Sequence, residues 1–278
     1  VSIPDNGANE YIDLIDVIFN QNECANFICR KLYRYFVNYD LTAAVETDII
    51  PVMAATMIAN NYDVLPVLTE LLSSEHFYDI AVRGAIIRNP LESLYGIFNA
   101  TSSSPNFGLV PDSEIQITLY WFAEAMGQGY AAPPSVAGWP AYYQEPSFSK
   151  LWANSTTMKN RFDVSSFVTV FTGIPDISLT GALFKADALA FVDGLSLPAD
   201  AVAVIDDIAD VFCPKGLSAA QKTVLKFILT GGLPDFEWTI QYNDYQANIG
   251  NPTFENPVRT KVEQVLNRVF QSPEYHVI

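Results

Sequence analysis

The segment from Gly127 to Pro146, GQGYAAPPSVAGWPAYYQEP, crowds proline, glycine and aromatic residues into a stretch that neither continues a helix nor alternates as a strand. Trp139, Tyr142 and Tyr143 within it, with Trp152 shortly after, offer flat faces on which sugar rings or apolar ligands stack at low entropy cost. The plainer use of the same residues is structural: Pro133 and Pro134 stiffen the backbone, Gly138 permits close approach, and Trp139 plugs a gap between helices. A second cluster lies early in the chain. Arg30 and Arg34, with Lys31 between them, share a helix face at i, i+4 and have the donors to grip a carboxylate or phosphate. The acidic segment before them, with Glu10, Asp13 and Asp16, is the competing partner, and folded back it would pair with them across two helices.

Carboxylates supply the alternative chemistry. Glu75, Glu145 and Asp163 are the acids that a hydrolase working beside the aromatic loop would use, and glycosidase logic requires two carboxyls roughly 5 to 10 Å apart in one cleft. Ser74, Glu75 and His76 are consecutive, so their side chains diverge where a nucleophilic triad needs them to converge; His76 reads as a capping or packing residue. Asp206, Asp207 and Asp210 crowd toward a helix end, where the macrodipole disfavours negative charge. Their spacing is not that of a calcium loop, and Lys215 or Lys222 is expected to neutralise them. Cys24 and Cys29 point to different faces of one helix, and with Cys213 they make an odd count that fits neither a disulfide framework nor a zinc knuckle. No Gly-x-Ser-x-Gly elbow, phosphate-binding glycine loop or His-Glu-x-x-His helix occurs. No catalytic residue, metal site or cofactor is assigned.

Helices must position these side chains. Tyr11, Leu14, Ile15 and Ile18 make an apolar stripe over 10–19, and a second helix runs from Glu23 to about Val37 behind Asn22. Thr47 or Asp48 starts a third, with Pro51 tolerated in its first turn, and Asp63 caps a fourth. A fifth covers about 91–99, and another opens at Asp112. Helical signals resume over 147–161, 182–192, 199–212, 218–229, 235–249 and 256–271. Only Val164 to Phe171 has the β-branched density of a strand. The class is therefore mainly α: a multi-helical globular array with a long Pro/Gly/aromatic loop and little or no β. Residues 1–100 are expected to form one helical subdomain, the Ser/Pro/Gly-rich 101–111 a linker-like loop, and 112–278 a second subdomain packed with the first as one unit.

Composition narrows the function. A net charge of −16 with only 15 basic residues argues against binding nucleic acid, which needs a basic surface. No apolar run reaches the roughly 18 residues of a membrane span, so no membrane insertion is expected of this chain. It begins at Val1 without a leader, and is expected to be a processed or truncated piece of a longer product.

Several phrases, in this order, carry a resemblance: ANFICRKLYRYFV (25–37), LPVLTELLSSEHF (65–77), IIRNPLE (86–92), PPSVAGWPAYY (133–143), LWANSTTMKNR (151–161) and FQSPEY (270–275). Together they resemble the bacterial family known as domain of unknown function 1800, over most of the chain, and the Pro-Pro-x-Val-x-Gly-Trp phrase is the most specific. The resemblance implies a helical protein exported to the periplasm, outer surface or medium and associated with the cell envelope. It also implies an amino-terminal stretch, with a leader and a Phe-Gly phrase, that this chain lacks. No particular reaction follows from it. The function expected from these readings is a binding or scaffolding module, more a binder than an enzyme. Its ligand is expected to be a polysaccharide or an envelope protein, held near Trp139, Tyr142, Tyr143 and Trp152, with Arg30 and Arg34 as further ligand contacts.

Overall fold

Many helix starts in this chain are set by small polar residues that satisfy the first free backbone N–H groups. The computed structural model describes residues 7–101, 112–170, 174–175 and 183–278, and its contacts divide the chain into two units, Val1–Ile86 and Ile87–Ile278.

The first unit carries α1 (Glu10–Phe19), α2 (Asn22–Phe36), α3 (Ile50–Ala59), α4 (Val64–Leu72) and the single turn α5 (Glu75–Tyr78). The Asp63 side chain accepts from the Leu65 N–H at the start of α4, and Ser74 accepts from Phe77 N–H at α5. A π-helical turn, Val45–Ile49, runs into α3, so the third helix begins at Ile50 with Pro51 in its opening turn. Ala25, Cys29 and Tyr33 of α2 pack with Met53 and Met57 of α3 and with Val67 and Leu71 of α4 in one apolar cluster. Helix α1 buries no residue, and its stripe of Leu14, Ile15 and Ile18 stays exposed.

The second unit carries α6 (Pro90–Ala100), α7 (Asp112–Ala125), α8 (Ser155–Thr169), α9 (Ala188–Asp193), α10 (Ala201–Phe212), α11 (Ala219–Thr230), α12 (Asp235–Ala247) and α13 (Pro252–Phe270). Helix α13 is central: Val258, Val262, Val265 and Leu266 are fully buried, and α8, α9, α10, α11 and α12 all lie against it. Burying each such side chain contributes about 1.5–3 kcal/mol. Pro257 sits inside α13 at the cost of one backbone bond. Beyond α13 a 3-10 turn, Pro273–His276, returns the chain toward α6, where Ile87 and Val277 form an isolated antiparallel bridge. Among the described residues, no helix is long and apolar enough to cross a membrane.

Three expectations are corrected. Val164 to Thr169 lies in α8, not in a strand; β-branched density there serves helix packing, with Val164 and Val168 buried one turn apart. The described strand structure is a two-residue antiparallel pair, β1 (Ile174–Pro175) with β2 (Leu183–Phe184), so the mainly helical class stands. The helix expected over 147–161 is instead a 3-10 turn, Phe148–Trp152, followed by a break and then α8. Asn154 causes the break, since its side chain accepts from Thr156 and Thr157 N–H groups and restarts the helix. Finally, α6 packs with helices later in the chain: Leu94, Ile97 and Phe98 join the same core as Val204, Val262 and Tyr275. The change of unit therefore comes at Ile86, before the helix, while residues 102–111 of the expected linker lie outside the described residues.

Candidate functional site

Gly127, at a φ of 98° that favours glycine, turns the chain out of α7 into the aromatic loop. The next residue, Gln128, is buried and holds the loop down: its Oε1 accepts from Leu91 N–H at 3.1 Å, and its Nε2 donates to the Tyr142 hydroxyl at 3.2 Å. Asn89, the N-cap of α6, donates to the same hydroxyl from Nδ2 at 3.4 Å. The Tyr142 ring meets Trp152 edge-on at 5.6 Å and Trp139 at 6.3 Å between centroids. Ala141, Phe148 and Trp152 are buried beneath. A tight turn shapes the tip, with Gly138 N–H donating to Ser135 O at 3.0 Å. Gly138 is needed for its φ of 91°; a side chain there would meet open space, so close approach is not its reason.

The four aromatic candidates thus separate. Trp152 is core. Trp139 is half-buried, and Tyr142 and Tyr143 leave 41% and 42% of their surfaces exposed, beside the still more open Tyr130 and Val136. The loop is fixed on its inner side and aromatic on its outer side.

Arg30 and Arg34 belong to the first unit. Arg30 Nε lies 2.9 Å from both carboxylate oxygens of Glu46, and its Nη1 reaches Glu23. The hydrogen bond that Arg30 donates to Glu46 is the main reason the guanidinium pKa is raised. Its partners are therefore Glu23 of its own helix and Glu46 of the π turn, in place of the expected acids of α1. Arg34, in the last turn of α2, is half-buried. His76 Nε2 and the Tyr33 hydroxyl share a hydrogen bond of 2.7 Å, with the rings stacked, which makes His76 a packing residue.

Of the hydrolase acids, Glu75 is exposed in the first unit and Glu145 is exposed in the loop. Asp163 forms an ion pair with Lys159 one turn away on α8. The aspartates of α10 are also in use: Asp206 pairs with Lys222 at 2.7 Å, and Asp207 accepts from the Ser196 N–H and hydroxyl. Burial pushes the Cys29 and Cys213 thiols up to about 11, so both stay protonated at neutral pH. Among the described residues, no group of three His, Cys, Asp or Glu side chains is placed to hold a metal ion.

Residue types and spacing do not announce a second cluster, Arg88, Arg161, Tyr275 and His276. Arg161 is 3% exposed; its Nη2 donates to the carbonyls of Arg88 at 2.8 Å and Trp152 at 3.5 Å, and its Nε and Nη1 find no protein acceptor. Arg88 donates to the carbonyls of Val277 and Phe212, with its guanidinium 4.7 Å from the centre of the Tyr275 ring. His276, buried between Tyr275 and Phe162, has neither ring nitrogen bonded to protein. Burial, with Arg161 and Arg88 nearby, pushes its pKa down to about 3. Arg161, lowered to about 10 mainly by burial, remains charged. One partial signal did exist: Arg161 shares the i, i+3, i+7 spacing of Val164 and Val168, the buried face of α8.

A comparison with protein families matches residues 1–277 to the family described as Protein of unknown function (DUF1800). Comparison with curated proteins and with solved structures gives no match.

Proposed function

We propose, for a chain that belongs to the DUF1800 family, that its second unit is a binding module whose ligand face is the outer side of the 127–146 loop. One observation carries this: Tyr142 is tied inward by Gln128 and Asn89 and packed on Trp152, yet the face of Trp139, Tyr142 and Tyr143 is left partly open. A preorganised aromatic face avoids the entropy that a mobile loop would lose on binding. Flat rings with hydroxyl groups at their edges suit a saccharide, with apolar ring faces and polar rims. Export and association with the cell envelope accompany this proposal, on the family resemblance. Binding is preferred to hydrolysis because Asp163 is already engaged in its ion pair with Lys159, one turn away on the same helix.

Calorimetric titration against a panel of envelope and storage oligosaccharides tests the proposal. Trp139→Ala and Tyr143→Ala are each expected to weaken binding roughly 3- to 10-fold, the worth of one aromatic stacking contact, without a change in melting temperature beyond a few degrees. Trp152→Ala is unsuitable as a surface variant because Trp152 is buried. Saccharide binding that ignores both substitutions would place the ligand face elsewhere, and no binding across the panel would end the saccharide proposal.

A further inference from the structure

Independently of the aromatic face, we propose that buried Arg161 and half-buried Arg88, beside His276, form a receptor for a single oxyanion group, a carboxylate, sulfate or phosphate. The starting point is charge. A buried guanidinium is costly to desolvate unless it is both paired and hydrogen-bonded, and removing one partner of such a pair is strongly destabilising. Arg161 is nearly sealed from solvent, yet the three N–H bonds on its Nε and Nη1 meet no protein acceptor. Its remaining contacts are backbone carbonyls, which satisfy N–H groups without cancelling charge.

Arg88 compounds the excess. Its donors also go to carbonyls, and its plane lies by the Tyr275 ring. Among the described residues, no carboxylate forms an ion pair with Arg88 or Arg161. Glu92, the acid that bears on Arg161, spends Oε2 on the Asn89 N–H as half of a capping box. The Tyr275 hydroxyl donates to Ser93 O and offers no charge. Two cations, Arg161 buried and Arg88 half-buried, therefore lie beside a buried neutral imidazole whose nitrogens are both unbonded to protein. The other histidine, His76, has the Tyr33 hydroxyl as a partner, whereas His276 sits beside two arginines in a molecule whose overall charge is −16.

An oxyanion answers each of these features. It takes the free donors of Arg161, balances the charge that carbonyls leave, and accepts from the N–H of His276. A water molecule would meet the hydrogen bonds but not the charge. Arginine is also the side chain best suited to planar or tetrahedral oxyanions. The parts come from distant points of the sequence: Arg88 precedes α6, Arg161 lies in α8, and Tyr275 and His276 follow α13. All but His276 fall within the phrases that carry the family resemblance, and His276 directly follows the last of them.

The test uses the whole chain. Its melting temperature is followed while phosphate, sulfate or acetate replaces chloride at constant ionic strength, and the imidazole proton resonances are followed in the same titration. The receptor predicts a rise that follows the logarithm of anion concentration above Kd, roughly 5 to 10 °C when the preferred anion reaches a hundred times its Kd. It also predicts a shift of one of the two histidine resonances, His276, while His76 stays still. Arg161→Gln abolishes the logarithmic rise. Arg161→Met abolishes it too, and in chloride it melts no lower than the wild type, because the uncompensated charge has gone. Should either variant fail to fold, the histidine titration of the wild type decides alone. A rise that stays linear in concentration is the general salting effect. Such a rise with a motionless His276 signal, or a logarithmic rise that survives Arg161→Gln, overturns the proposal.

Discussion

His276 shows how much a single side chain's surroundings determine. Phe162 and Tyr275 enclose it, and Arg88 and Arg161 are the charged groups that face it. Its folded pKa of about 3 lies below the roughly 6.5 of an unfolded chain. The unfolded state therefore takes up a proton that the folded state refuses. The stability this represents is fully present above about pH 6.5 and is lost progressively as the pH falls toward 3. Urea midpoints measured between pH 7.5 and 4.5 should fall more steeply in the wild type than in His276→Gln, the difference approaching one proton per molecule. Parallel slopes would mean that His276 is protonated in the fold. At this scale the sequence was only partly legible. Residue types named Trp139, Tyr142, Tyr143 and Trp152 as a group, but which ring faces outward depends on Gln128 and Asn89, and nothing in the spacing pairs these with Tyr142.

Elements were more legible because caps act locally. Asp63, Asn89 and Ser218 each precede a helix and each accepts a backbone N–H of its first turn. Asn154 does the same but comes after LWA, an apolar run that reads as helix until its 3-10 geometry is seen. The π turn before α3 has no residue pattern to announce it. Asn89 is the most informative cap, since it closes a capping box with Glu92 and also donates to Tyr142. Asn89→Ala is expected to cost about 1 kcal/mol, the usual worth of such a cap, or roughly 2 to 4 °C of melting temperature. A weaker saccharide response should accompany it, as Tyr142 loses its tether to Asn89. Calorimetry of the variant with and without ligand separates these two effects, and an unchanged melting temperature would mean that the box contributes nothing.

For the whole molecule, apolar periodicity indicated the mainly helical class, but periodicity does not say which helix packs on which. That is why α6 looked like the end of the first subdomain, although Leu94, Ile97 and Phe98 enter the core built on α13. The same limit hid Arg88, Arg161 and His276, which meet only through that packing. Low overall charge and abundant aromatics did point toward the loop, and its rigid inner side and open outer side make it the ligand face proposed for the second unit. The indole N–H resonances of the four tryptophans test this most directly. Trp238 is fully buried with its N–H on the Pro198 carbonyl, Trp121 is exposed on α7, and Trp139 sits in the loop. Titration with a bound oligosaccharide should move the Trp139 resonance and leave those of Trp121 and Trp238 in place. Binding that moves Trp121 alone, or leaves every indole unmoved at saturation, would contradict the loop as the ligand face.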